Sequence, residues 1–150
     1  MPELSVEDWA RVSGDELTAM DEISLDEKGG SRRWNRHVDR MQRAQLVLRA
    51  TEAGRAAITR VIDNPIHTVA QWSAAHALFW APEKARRFLE AETTAPGLDG
   101  FNAQMTLREF DAGRLRTDWM PKGRNPERAV RGMTVHSNVR SCLHRYALHG

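Results

Sequence analysis

The stretch Ile58–Gly113, ITRVIDNPIHTVAQWSAAHALFWAPEKARRFLEAETTAPGLDGFNAQMTLREFDAG, holds one helical pair written twice. Ile58, Val61 and Ile62 return 27 residues later as Ala85, Phe88 and Leu89. Ala74 and Leu78 return 29 residues later as Ala103 and Leu107, and the two extra residues fall in the loop Thr93 to Asp99. A repeated helical pair cannot bury its own apolar stripe, so neighbouring pairs must stack. The punctuation agrees. The spacing predicts a short helix from Arg55 to Asp63, then Asn64 as N-cap with Pro65 at the first helical position. That second helix runs to Trp80 through Val69, Trp72, Ala75 or His76, and Phe79. Pro82 opens a third helix with Glu83 in its first turn, where the helix dipole favours an acid. Asp99 is the expected cap of a fourth, carrying Phe101, Met105, Leu107 and Phe110 and ending at Gly113.

Working outward, Ser31 reads as the N-cap of a long helix, Arg32 to Ala50, with Trp34, Val38, Met41, Ala44 and Leu48 at helical spacing. Thr51 to Gly54 reads as a short joint. Ser5 and Asp8 form a capping box ahead of Val6, Trp9, Val12, Leu17, Met20 and Ile23. Ser13-Gly14-Asp15 is the expected break in that segment. On the other side, Arg114 to Met120 reads as a linker anchored by Trp119. Short helices are expected at Asn125-Pro126-Glu127 and after Ser137, the last with Val139, Cys142, Leu143 and Tyr146 on one face. No apolar alternation is read anywhere, so no strand is expected. The fold reading is a single all-α domain of six or seven helices, stacked as hairpins into a right-handed superhelix. Residues 1–30 form an acidic cap, 31–113 the helical-repeat core, and 114–150 a basic extension.

Several motifs carry a resemblance. A long helix ends in Asp39-Arg40-Met41. Asp63-Asn64-Pro65 precedes a helix with Val69, Trp72, Ala74, Ala75, Ala77 and Leu78. Ala81, Pro82, Glu83, Ala85 and Leu89 follow, and then Gly100, Phe101, Ala103, Met105, Thr106 and Leu107. From Trp34 to Leu115 the chain resembles a small bacterial family of unknown function whose members are compact HEAT/armadillo-like α-superhelices. The resemblance implies a fold, through packing residues, and brings no catalytic residue with it.

Composition sets the remaining bounds. At 150 residues with 41% apolar and 28% charged content, the chain can build one core without a metal or disulfide staple. A lone cysteine, Cys142, excludes an internal disulfide and favours a reducing compartment. No apolar run is long enough to span a bilayer, the N-terminus has no apolar leader, and the cytoplasm is expected. Charge is uneven. Residues 1–30 hold nine acids against two bases, and residues 114–150 hold eight bases against two acids. The expectation is that the acidic segment pairs with basic helices of its own chain.

Reactive chemistry is weakly represented. His136, Cys142, His144 and His149 cluster in the tail, but their gaps do not match zinc-ligand spacings. His67 and His76 share a helix about 13 Å apart along its axis, too far to share a ligand. His76, among alanines, reads as a hydrogen-bonded core or groove residue. Cys142 beside Leu143 and Tyr146 reads as packing. Glu83 with Glu90, and Glu109 with Asp111, read as ordinary helix surface, and no nucleotide-binding, hydrolase or metalloprotease motif occurs. No catalytic residue, cofactor or metal is expected. The candidate interaction surface consists of Arg33, Arg36, Arg40 and Arg43 on one face of the long helix, together with Trp80. Trp34, Trp72 and Trp119 could line a binding groove with Trp80, but an aromatic at helical spacing is more often core, and Trp80 is the best candidate for exposure. The function expected is a non-catalytic protein–protein interaction module, with a homodimer open. The alternatives are a nucleic-acid-associated protein using the Arg32–Arg43 face and basic tail, and an immunity-type neutralising partner. No membrane partner is expected.

Overall fold

The structure, a computed structural model, describes residues 3–121, and these fold into six α-helices with no strand. The tail features at Asn125–Glu127, His136, Ser137, Cys142, His144 and His149 lie outside the described residues. The helices are α1 (Val6–Glu22), α2 (Gly30–Arg49), α3 (Glu52–Val61), α4 (His67–Ala77), α5 (Pro82–Glu92) and α6 (Leu98–Asp111). They pack as three consecutive pairs, α1 on α2, α3 on α4 and α5 on α6. The first pair meets the second through α1–α3, α1–α4 and α2–α3, and the second meets the third through α4–α5 and α4–α6. Positions matched between the two sequence units are buried in both: Ile58 and Ile62 with Ala85 and Leu89, Ala74 and Leu78 with Ala103 and Leu107.

α4 is the central element, and nine of its eleven residues are buried. A helix covered on all sides needs small residues where neighbours approach, and Ala70, Ala74, Ala75 and Ala77 supply them. α1 is more than a cap, because its Leu17 and Met20 are fully buried in the main core with Trp34, Val38 and Met41 of α2.

Local signals decide the ends. The Ser5–Asp8 capping box forms as read, and Pro82 opens α5. The expected break at Ser13-Gly14-Asp15 is absent, and α1 runs straight through it. Glycine inside a helix costs about 1 kcal/mol, and burial of Ser13 under a hydrogen bond from Gln45 Nε2 (2.7 Å) opposes that cost. α2 starts before Ser31: Gly29 takes the left-handed conformation (φ +80°) as N-cap. α3 starts before Arg55, because Thr51 Oγ1 accepts from Gly54 N at 3.0 Å. A Cβ on Gly54 would lie 1.8 Å from Leu48 O, so this glycine is what lets α3 cross the end of α2. Asn64 accepts from Ile66 N in a local turn, so Ile66 becomes the N-cap and α4 starts at His67. It stops at Ala77, short of Trp80. Gly97, in place of Asp99, caps α6, which ends before the expected Gly113.

The segment after α6 is the main departure. Leu115, Thr117 and Trp119 are buried while Arg116, Asp118 and Met120 are exposed, an extended strap with a two-residue period. It returns to α2, where Gln42 Nε2 donates to Thr117 O (2.9 Å) and Trp119 O (2.8 Å), and Arg49 donates to Thr117 Oγ1 (2.9 Å). The third pair is thereby tied to the first.

Candidate interaction surface

Arg33, Arg36, Arg40 and Arg43 of α2 fall on its outer side because Trp34, Val38, Met41, Ala44 and Leu48 turn the other face inward. Within that set they have different fates. Arg33 pairs with Glu27 (3.1 Å) and Arg40 with Glu16 (2.9 Å), and Glu16 also meets His37 Nδ1 at 2.5 Å. Two acids of the N-terminal segment thus engage this face. Exposed pairs of this kind stabilise by less than about 1 kcal/mol each. Arg36 and Arg43 are exposed, with no ion pair among the described residues.

Trp80 is half-buried, and its indole N–H donates to Thr59 Oγ1 at 2.9 Å. Because α4 ends at Ala77, the turn that follows carries Phe79 outward to 45% exposure. The sequence reading had placed Phe79 on the helix among the apolar positions. The Arg49 guanidinium lies 5.7 Å from the Trp80 ring centre and 5.9 Å from that of Phe79. Phe79 meets Phe110 edge-on at 5.5 Å, and Arg86 stands 5.8 Å from the Phe110 ring. Arg86 in turn is held by Asp111 and Glu90. Trp80, Arg49, Phe79, Phe110 and Arg86 form a ridge of rings and guanidinium groups drawn from three helices and one turn. Burial pushes the Arg49 pKa below its ordinary value, opposed by the charge of Asp118 on the strap. Beside the ridge, Trp80 also walls an open groove of about 440 Å³ with Arg55, Arg60, Thr59 and Glu52.

The two described histidines of α4 differ sharply. His67 Nδ1 lies 2.6 Å from Glu92 Oε1, and that hydrogen bond, helped by the charges of Asp99 and Asp21, raises its pKa. His76 is fully buried, and neither ring nitrogen has a hydrogen-bond partner. The expected hydrogen bond is absent. Burial, with the Arg49 charge adding to it, pushes the His76 pKa down to about 3, so it is neutral at physiological pH. Glu83 and Glu90, like Glu109 and Asp111, are on helix surfaces. Glu109 is held by Arg114, which lowers its pKa. Trp34, Trp72 and Trp119 are buried.

Among the described residues no group of three metal-ligating side chains converges, and no helix is long and apolar enough to cross a membrane. Comparison with protein-family models, curated proteins and solved structures finds no match.

Proposed function

We propose that this chain is a non-catalytic interaction module that docks another protein on the Trp80–Arg49–Phe79–Phe110–Arg86 ridge. The exposed Phe79, clamped between Arg49 and Phe110, is the observation that carries the reading. Interface hot spots favour Trp, Tyr and Arg in contacts that exclude water. A ring held rigid on a helical scaffold loses little conformational entropy when it is covered. The adjoining groove, with Arg55 and Arg60 at its walls, suits a partner segment bearing carboxylates. The three helix pairs also favour the reading of the chain as a HEAT/armadillo-like array, which offers a shaped face to one partner; an immunity-type role is one form this takes.

The test is recovery of a stoichiometric protein by the tagged full chain from its own cell lysate. Phe79→Glu should lose that protein while keeping the melting temperature, and Arg36→Glu should keep it. Equal recovery by Phe79→Glu removes the ridge from the proposal, and recovery of nothing stoichiometric removes the proposal itself.

A second reading, nucleic-acid association, draws on the exposed Arg36 and Arg43, which have no ion pair among the described residues. Phosphate binding falls steeply with salt. Binding to random-sequence DNA or RNA that weakens as salt rises and is lost in Arg36→Glu with Arg43→Glu would favour it. No binding at low salt ends it.

A further inference from the structure

We propose that the groove along α3 receives an acidic amphipathic helix, the segment through which the protein partner docks. The inference rests on the interaction reading and names the partner's chemistry at that surface. Glu52, Arg55, Ala56, Thr59 and Arg60 line the groove together with Trp80. The α3 residues recur at helical spacing and run about 12 Å along one side of the helix. Arg55 and Arg60 point about 140° apart around α3. Exposed Ala56 lies between them, so the two arginines flank the groove.

The groups on the walls select the charge. Thr59 Oγ1 accepts from the Trp80 indole at 2.9 Å and donates to Arg55 O at 2.9 Å, so its hydroxyl is engaged in both directions. Arg55 gives one N–H to Arg49 O at 2.9 Å. Neither Arg55 nor Arg60 has an ion pair among the described residues, and Arg60 is exposed. Glu52 is the one acid among the described residues lining the groove, so the two guanidinium groups outweigh it. Arg49, 5.7 Å from the Trp80 ring centre, stands behind the same wall and is offset by the charge of Asp118. The excess therefore rests on Arg55 and Arg60. An arginine only donates and keeps its charge, while Ala56 and the Trp80 ring offer apolar surface. A carboxylate carried on an apolar body complements both.

The backbone selects a helix. The groove floor is a helix flank whose main-chain groups are paired along α3, so it has no open edge to which an extended segment could add as a strand. A helix satisfies its own main chain and needs only side-chain contacts. Small Ala56 lets it approach to an axis separation of about 8–10 Å. Its apolar stripe then covers Ala56 and Trp80, with carboxylates on either side reaching Arg55 and Arg60. The chain supplies no such segment itself. Residues 114–150, with eight bases against two acids, have the wrong charge. The acidic α1 of a second copy is already packed on α2 through Leu17 and Met20.

The test is a titration of the full chain with an alanine-based helical peptide whose leucine stripe is flanked on both sides by glutamates, followed through the Trp80 indole N–H signal. The expected result is a saturable shift at sub-millimolar concentration. It should weaken at least about fivefold in Arg60→Glu and not in Arg36→Glu. Arg60 is exposed, so Arg60→Glu keeps the fold and its melting temperature checks this. With lysines in place of the glutamates, the peptide should bind Arg60→Glu more tightly than the wild type. A proline in the middle of the glutamate peptide should remove binding. No saturable shift, equal binding of the lysine or proline peptide to the wild type, or unchanged affinity in Arg60→Glu overturns the proposal. Displacement of the glutamate peptide by a lower concentration of random-sequence oligonucleotide assigns the arginines to phosphate and also overturns it. The titration needs no cellular partner. Failure of the peptide while Phe79→Glu still loses the cellular protein therefore overturns the groove and leaves the ridge standing.

Discussion

Helix α4 is flanked by two seams of opposite chemistry. Toward α5 and α6 the buried residues are Ala74, Ala77 and Leu78, with Ala85, Leu89, Ala103 and Leu107. Toward the first pair, Ser73 shares a small cavity with Ser13 and Gln45, and His76 lies one turn further on, within the field of Arg49. Gln42 Oε1, Gln45 Oε1, Ser73 Oγ and both nitrogens of His76 are buried there without hydrogen-bond partners. The apolar seam stabilises by removing surface from water and makes no directional demand. The polar seam makes directional demands and leaves several unmet, each at a cost of about 1–3 kcal/mol. The first pair also brings Leu17, Met20, Val38 and Met41 to the same apolar core, so the unmet polar groups form a strip beside apolar packing.

The contrast can be broken most forcefully in the apolar seam. Leu89→Ala, in a fully packed site, should lower unfolding free energy by about 3 kcal/mol in a denaturant titration. A loss under about 1 kcal/mol would mean that the third pair contributes little to the fold. The next test is pH. His76 titrates near 3 when folded and near its ordinary 6.5 when unfolded. Between those values the unfolded chain binds a proton that the folded chain refuses. Stability from this group is full above pH 6.5 and falls by up to about 1.4 kcal/mol for each pH unit below it. The excess slope of the wild type over His76→Leu, measured from pH 7 to 4.5, isolates it from the carboxylates. At neutral pH, His76→Leu should raise stability by about 1–2 kcal/mol, opposite in sign to Leu89→Ala, since it removes two unpaired buried atoms at similar volume. The smallest change is expected from Phe79→Glu, within about 1 kcal/mol by thermal melt, because nearly half of that ring is already exposed and its edge contact with Phe110 is the main packing lost.

The two seams were unequally legible in the sequence. The apolar one announces itself through periodicity: Ala85 and Leu89 echo Ile58 and Ile62, and the spacing alone places them in a core. The polar one has no such signal. Gln42, Gln45 and Ser73 read as surface residues in any one-dimensional pattern, and only the meeting of α1, α2 and α4 buries them. On α2, Arg36 and Arg43 are exposed, while Arg33 and Arg40 pair with Glu27 and Glu16 of the acidic segment, a pairing whose kind the charge distribution suggested but whose partners it could not name. Trp80 was singled out, but Phe79, Arg49, Phe110 and Arg86 were not, because their association depends on α4 ending three residues early and on contacts across pairs. The alternation Leu115, Thr117, Trp119 was present in the sequence and was passed over as a linker. Three repeats of a two-residue period are a short signal beside six helices.

That strap changes how the three helix pairs can come apart. A row of units that touch only their neighbours can fray from either end, each losing its hold separately. Here Thr117 and Trp119 button the last unit onto Gln42, some 75 residues back along the chain, so loosening one edge requires releasing the other. Such a closed chain of contacts should melt as a single body, and it should assemble more slowly than its local helices alone would suggest, since the clasp can form only after distant parts have met.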